Sequence, residues 1–447
     1  MSLNRIDSEL TALKDAVAVA LEYANKLGTN AAEVAISKQQ GLSVSTRLKE
    51  VETVEFNKDG ALGITVYRDG CKGSSSTSDL SPEAIALAVK AADDIARYTS
   101  ADPFSGLADK ALMATEIRDL KLYYPEDISP DELAQLAIRA ETAALDADPR
   151  INNSDGASAN AHTSVKVYGN SHGFLNGYCS SRYSLSCSVI GEDSDGNMQR
   201  DYDYTIARKF NEMLSPESVG LKTAEKTVSR LGARKIATTR LPILLAPEIA
   251  TGLIGHLIGA ISGGSLYRKS SFLLDAIHTQ IFPDWFSIEE QPHLLGALAS
   301  ANYDSEGVAT QDRRIIDRGI LETYLLTSYS ARKLSLPNTG HAGGIYNWTL
   351  AHTGQSFDEL VKGMGTGLIV TEVMGQGVNM VTGDYSRGAA GFYVENGEIQ
   401  FPVEEITIAG NLKDMFRGIQ AVSKDFDLRS SIRTGGILLS EMKVAGN

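Results

Sequence analysis

Leu80-Ser81-Pro82-Glu83 recurs letter for letter as Leu214-Ser215-Pro216-Glu217, and this repeat decides how the first half of the chain divides. In each copy a serine precedes a proline at the start of a segment with helical apolar spacing. The serine oxygen can accept from an unpaired N–H of the first turn, and proline there sacrifices no hydrogen bond. Each copy therefore marks a helix that closes a block. The first block also opens with a helix, on which Leu10, Leu13, Val17, Leu21 and Ala24 share one face, with Gly28 placed to end it. Strand-like runs follow at 33–37, 42–46, 51–56, 62–67 and 71–77, with Asp59-Gly60 and Asp69-Gly70 read as hairpin turns.

The second block repeats the plan. Ser129-Pro130-Asp131-Glu132 reads as a capping box leading into Leu133, Leu136, Ala140, Ala143 and Ala144. Strand-like runs lie at 164–168, 174–178, 183–190 and 198–206, with Asp195-Gly196 as a turn. Helix, antiparallel strands, helix, twice over, points to an internal duplication. Near Arg240 the texture changes to glycine-rich strand-and-turn patterns, including Asn396-Gly397 between two strand-like runs. The fold expected is α+β, with domains at 1–115, 116–238 and 239–447, the last dominated by antiparallel sheet.

Composition narrows the function. The 447 residues are 43% hydrophobic and 22% charged, ordinary for a globular chain large enough for two or three cores. A net charge of −14 argues against direct nucleic-acid binding, which needs clustered Lys and Arg. Cys71, Cys179 and Cys187 are few, odd in number and without CxxC spacing, which fits a reducing cytoplasm. The N-terminus lacks a signal-peptide core. The longest apolar stretch, 241–261, is interrupted by Pro247, Glu248 and His256, so no membrane span is expected.

Several segments together resemble the TldD/PmbA family of zinc metallopeptidases. They include Val44-Ser45-Thr46-Arg47, Val167-Tyr168-Gly169-Asn170-Ser171-His172-Gly173, Asp304-Ser305-Glu306-Gly307, Thr339-Gly340-His341-Ala342-Gly343-Gly344 and Gly383-Asp384-Tyr385-Ser386-Arg387-Gly388. The resemblance runs in order along essentially the whole chain and is stronger to the PmbA (TldE) branch than to the TldD branch. It implies a cytoplasmic heterodimeric peptidase that trims unfolded or extended peptides such as a microcin precursor or an antitoxin. A TldD-like partner would supply the zinc and the catalytic groups, and this chain would bind no cofactor of its own.

That implication turns on residues 249–264. Where the family's catalytic subunit carries H-E-x-x-x-H, this chain reads Gly255-His256-Leu257-Ile258-Gly259-Ala260. Glycine and alanine replace the two imidazoles, and His256 replaces the glutamate. Near the C-terminus, where the resemblance places a cysteine ligand, the chain has Arg433-Thr434-Gly435-Gly436. A zinc site needs three protein ligands on a rigid frame, so Gly255, His256, Ala260 and Thr434 are expected to be a vestigial motif.

Gly252, Gly255, Gly259 and Gly263 fall along one side of this helix. Glycine costs about 1 kcal/mol in a helix interior relative to alanine, so close approach by another element is expected there, from within the chain or from a partner. Candidate contacts to peptide or partner are His256, Tyr267, Arg268, Asp304, Glu306 and His341. Asp304 and Glu306 would face one side if they lay on a strand, or would hold a loop by hydrogen bonds. Two other readings stand beside the subunit: a stand-alone peptidase built on Asp304, Glu306 and His341, or a non-catalytic regulator, in line with the family's older label of DNA gyrase modulator. Whether the isolated chain forms a homodimer is open.

Overall fold

The computed structural model describes residues 6–446. In the first half, α1 (Leu10–Lys26), β1 (Ala31–Arg47), β2 (Glu50–Arg68), β3 (Cys71–Thr77) and α2 (Pro82–Tyr98) are followed by α3 (Pro130–Ala147), β4 (Ile151–Asn170), β5 (Leu175–Glu192), β6 (Met198–Ala207) and α4 (Pro216–Ser229). The three serine caps form as expected. Ser81 accepts from the Ala84 amide, Ser215 from the Ser218 amide, and Ser129 completes a capping box with Glu132.

The six strands make one antiparallel sheet in the order β3-β2-β1-β4-β5-β6. The two repeats are its two halves, joined where β1 runs against β4 from Glu33↔Asn170 to Thr46↔Ala157. Alternation along the strands then fixes the faces. Val34, Ile36, Val165 and Val167 pack in one cluster with α1 and α2, while Leu42, Val44, Ala157, Ala159 and Ala161 pack in another with α3 and α4. The shared parity puts all four helices on one face. Each fully buried Val, Leu or Ile side chain there stabilises by about 1.5–3 kcal/mol. The other face presents Gln39, His162, Ser164, Lys166, Ser180 and Arg182.

Several strand boundaries differ from expectation. The runs 33–37 and 42–46 are one strand, as are 51–56 and 62–67. Asp59-Gly60 is no turn: those residues pair with Gln39 and Lys38 inside the ladder. The turn is Leu48-Lys49, both at positive φ. It is held from outside, because the fully buried Glu141 of α3 accepts the amides of Leu48 and Lys49 at 2.7 and 2.8 Å and the Thr46 hydroxyl at 3.1 Å. The first half of β4 was not expected either, since its Asn, Asp, Gly and Ala residues have low strand propensity. Its alanines are selected by burial beneath α3.

The C-terminal part begins with β7 (Thr239–Leu245), α5 (Pro247–Ile261) and α6 (Gly263–Tyr267). A five-stranded sheet follows from β8 (Ile288–Glu290), β9 (Arg313–Asp317), β10 (Ile320–Leu321), β11 (Trp348–Leu350) and the later β16 (Ile432–Arg433), in the order β10-β9-β8-β11-β16, with α7 (Ser328–Leu334) between β10 and β11 along the chain. Next come α8 (Phe357–Met364), β12 (Gly367–Met374), β13 (Asp384–Glu395), β14 (Glu398–Asn411), α9 (Leu412–Arg417), β15 (Ile419–Val422), β16 (Ile432–Arg433) and β17 (Ile437–Ala445). The larger sheet runs β14-β13-β12-β7-β17-β15, and pairing of β14 with β17 closes five of its strands into a ring. Asn396-Gly397 makes the β13–β14 turn, both residues at positive φ, as expected. The fold is α+β. No helix among the described residues is long and apolar enough to cross a membrane.

Candidate functional site

α5 buries Ala250, Leu253, Ile254, Leu257, Ala260 and Ile261 in the C-terminal core. The opposite side carries the glycines, and the structure divides them. A side chain at Gly263 would collide with Ser330, and one at Gly259 would touch Met380 at 3.3 Å. Gly252 and Gly255 are exposed, with nothing within 4 Å of an added Cβ. Of the close approach expected along the row, from within the chain or from a partner, the chain itself supplies only that at the row's end. His256 is half-buried, its ring edge-on to Tyr385 at 5.9 Å; burial, with Arg387 nearby, holds its pKa below the usual imidazole value. Ala260 is fully buried. So is Thr434, whose hydroxyl donates to the Gly435 carbonyl. Gly255 and Ala260 have no donor atom and Thr434 is turned to backbone, so these side chains do not fit a zinc ion. Among the described residues, no group of three or more His, Cys, Asp or Glu is placed to hold a metal.

The structure brings Asp304, Glu306 and His341 into one loop cluster, and their hydrogen bonds are internal. The Asp304–Gly307 segment is a turn, not a strand, with Gly307 at φ 78°. Asp304 accepts the amides of Glu306 and Val308 at one oxygen and that of Ala342 at the other. Burial pushes its pKa up to about 7. Glu306 accepts the amide and hydroxyl of Ser328 at 2.9 and 2.6 Å. His341 is buried, its Nδ1 2.8 Å from the Thr339 hydroxyl and its Nε2 2.9 Å from Glu290. Glu290, only 1% exposed, also accepts from the Tyr346 amide and the Trp348 indole, with Arg313 at 3.5 Å. Both imidazole nitrogens are engaged, and solvent does not reach the ring.

This cluster lies where the two halves of the molecule meet. Gly307 sits against Tyr168, Met113 and Phe174, and Tyr303 packs edge-on to Phe174. Tyr67 and Tyr168 both donate to Glu33 on the same side of the first sheet. Tyr267 and Arg268 stand apart at the end of α6. Arg268 lies over the Tyr267 ring and is bonded to its hydroxyl at 3.1 Å, and Tyr267 packs edge-on against Tyr329. Arg268 has no carboxylate partner among the described residues.

Sequence reading missed His162, Lys166, Arg182 and Arg208, which line a cleft of about 1020 Å³ between the first sheet and the C-terminal part. The one signal for the strand residues is the alternation of Ser164 and Lys166 with Val165 and Val167, which marks a polar face without saying what covers it; Arg208 carries none.

Family models for the PmbA/TldA metallopeptidases match along the chain: domain 1 at residues 32–96, the central domain at 123–231 and the C-terminal domain at 238–446. The chain is 60% identical to Metalloprotease PmbA of Escherichia coli O157:H7, over 99% of this chain and 98% of that one. A crystal structure from Bacteroides thetaiotaomicron, described as a modulator of DNA gyrase, superimposes with a TM-score of 0.92 at 29% identity, covering 97% of this chain and 99% of that one. TldE from Thermococcus kodakarensis shares the fold, with a TM-score of 0.85 at 19% identity over 96% of this chain and all of that one.

Proposed function

Because the chain belongs to the PmbA/TldD metallopeptidase family, we propose that it is the subunit that supports substrate handling and assembly in a cytoplasmic TldD–TldE-type peptidase. The zinc and the hydrolytic groups reside in a TldD-like partner, and this chain binds no zinc. One observation carries the reading: at the positions where a catalytic subunit would place two imidazoles, α5 has Gly255 and the buried Ala260. The buried, fully bonded state of His341 and Asp304 speaks against a stand-alone peptidase built on them. A general base must reach the proton it abstracts.

Extended peptides suit this architecture. Along 50–59, β2 pairs with β1 on one side only, because β3 begins opposite Arg68 and ends opposite Leu62. Val51, Val54 and Phe56 are about half exposed along that edge. An unpaired edge with apolar side chains is a template for strand addition, by a peptide or by a partner's strand.

The test is reconstitution. The chain is purified alone and with a TldD-type subunit, and bound zinc and cleavage of an unfolded peptide are measured. Cleavage is expected only when both are present, with zinc tracking the partner. Stoichiometric zinc and robust cleavage by the isolated chain overturn the reading.

A further inference from the structure

The cleft between the open face of the first sheet and residues 298–301 and 343–346 gathers Lys166, Arg182 and Arg208 in a chain of net charge −14. Strand register places His162 opposite Arg182, Ser164 opposite Ser180 and Lys166 opposite Tyr178. Gly41, paired with His162, makes this possible: a Cβ there would fall on the imidazole, so only glycine lets that ring lie across β1. On the wall, Arg208 is only 8% exposed and donates to the carbonyls of Ser181, Ala297 and Leu298.

None of Lys166, Arg182 and Arg208 has a carboxylate partner among the described residues. Lys38, also on the cleft, is taken by Glu9 at 2.7 Å, and Asp59 is the one acidic lining residue. The buried Arg208 is compensated by its three carbonyls, as a buried charge must be, whereas Lys166 and Arg182 are exposed, keep their hydration and leave their charge free for a ligand. Here the cations also repel one another. Burial, with Arg182 as the smaller cause, lowers the pKa of His162, and burial, reinforced by Arg182, brings Arg208 down to about 10. A concave site with low-dielectric walls focuses such a field on an incoming anion.

We infer that this cleft binds the carboxylates of a peptide. The inference rests on the subunit reading above and adds a substrate class to it: acidic segments, or a free C-terminus. Ser164 and Ser180 share one hydrogen bond at 2.8 Å on the cleft floor and keep further capacity for an extended backbone, whereas the buried Ser300 is spent on the Leu294 carbonyl and the Asn347 amide. The volume of about 1020 Å³ is near the upper end of the roughly 300–1,000 Å³ usual for ligand sites. A nucleic acid fits less well, since its phosphates would face a chain of net charge −14.

Calorimetric titration of the full chain at low salt tests this with four probes: an amidated glutamate-rich octapeptide, its amidated glutamine analogue, the same glutamine peptide with a free C-terminus, and an oligothymidylate. The glutamate peptide, the free-acid peptide or both should bind at least tenfold more tightly than the amidated glutamine peptide, and which one does so identifies the carboxylate. Arg182→Gln and Lys166→Gln, both at exposed positions that keep the fold, should each weaken that binding about tenfold, as expected for loss of a charge-assisted contact. Lys90→Gln on the outer side of α2, with the same loss of charge, should leave it unchanged. Equal binding of acid and amide, insensitivity to both cleft variants, or preference for the oligothymidylate overturns the inference. If the reconstituted pair cleaves peptides with no preference for acidic ones, the cleft inference alone falls. If the chain binds acidic peptides but never stimulates its partner, the subunit reading falls instead.

Discussion

Replacing Gly255 by alanine should make the isolated chain more stable, and the size of the gain follows from the structure. Gly255 is in the interior of α5, exposed, with no atom within 4 Å of an added Cβ. Alanine there recovers the helix propensity that glycine forfeits, about 1 kcal/mol, and meets no steric cost. For a unit of roughly 150–250 residues that corresponds to about 2–4 °C in Tm. Gly263→Ala is the internal contrast. Its Cβ would lie 2.2 Å from the Ser330 hydroxyl oxygen, and overpacking of that kind costs about 1–3 kcal/mol. Scanning calorimetry of both variants, without partner, should give shifts of opposite sign. If the open side of α5 meets a TldD-type subunit at close range, Gly255→Ala also lowers the affinity of the pair while raising the stability of the chain. A destabilised Gly255→Ala, or a neutral Gly263→Ala, refutes the assignment of which glycines the chain itself needs.

The buried Asp304 makes stability fall as pH rises. Its folded carboxyl titrates near 7, against about 3.9 in an unfolded chain, so its contribution is complete below about pH 4 and lost as pH passes 7, at up to about 1.4 kcal/mol per pH unit. Urea unfolding at pH 5, 6 and 7 should show this slope in the wild type, and Asp304→Asn should lack it; an unchanged slope assigns it elsewhere. Glu290→Gln replaces an anion that holds His341, Trp348 and the Tyr346 amide beside Arg313, and should cost about 3–5 kcal/mol by chemical denaturation; a loss below 1 kcal/mol would show that the cluster is not a structural hub. Burial pushes Cys187 up to about 12 and Cys179 up to about 11, so neither should react with a thiol reagent at pH 8 until urea is added. Rapid native labelling of Cys187 would contradict its burial.

The elements legible in the sequence are those whose signals are local. Serine caps before Pro82, Pro130 and Pro216, the Asp69-Gly70 and Asn396-Gly397 turns, and the stripe of α1 each carry their own chemistry. What escaped was set from elsewhere in the chain. Leu48-Lys49 holds a left-handed turn because Glu141, far away in sequence, accepts its amides. The start of β4 is a strand because helices cover its alanines, and Asp59-Gly60 stays extended because β1 runs alongside it. The candidate site divides in the same way. Absence of ligands at Gly255 and Ala260 is readable letter by letter, whereas the cleft brings together His162 and Lys166 of β4, Arg182 of β5 and Arg208 just past β6, which only register and tertiary packing make neighbours.

The repeated plan of elements accounts for why a cleft exists. Two helix–sheet–helix repeats joined edge to edge put four helices on one face and leave the other face of a six-stranded sheet to be covered by something else. The C-terminal part covers one end of that face, where Gly307 and Tyr303 pack on Tyr168 and Phe174. The hub of Asp304, Glu306, His341 and Glu290 stiffens the loops that make this contact. Farther along, the face is left open over Lys166, His162 and Arg182. The titratable groups thus sort by position: those that are buried and satisfied, Arg208 with its Ser181, Ala297 and Leu298 carbonyls among them, fix one half of the molecule against the other, and the exposed, unpaired Lys166 and Arg182 lie in the gap between the halves. Substituting the first set should change stability, and substituting the second should change what the chain binds.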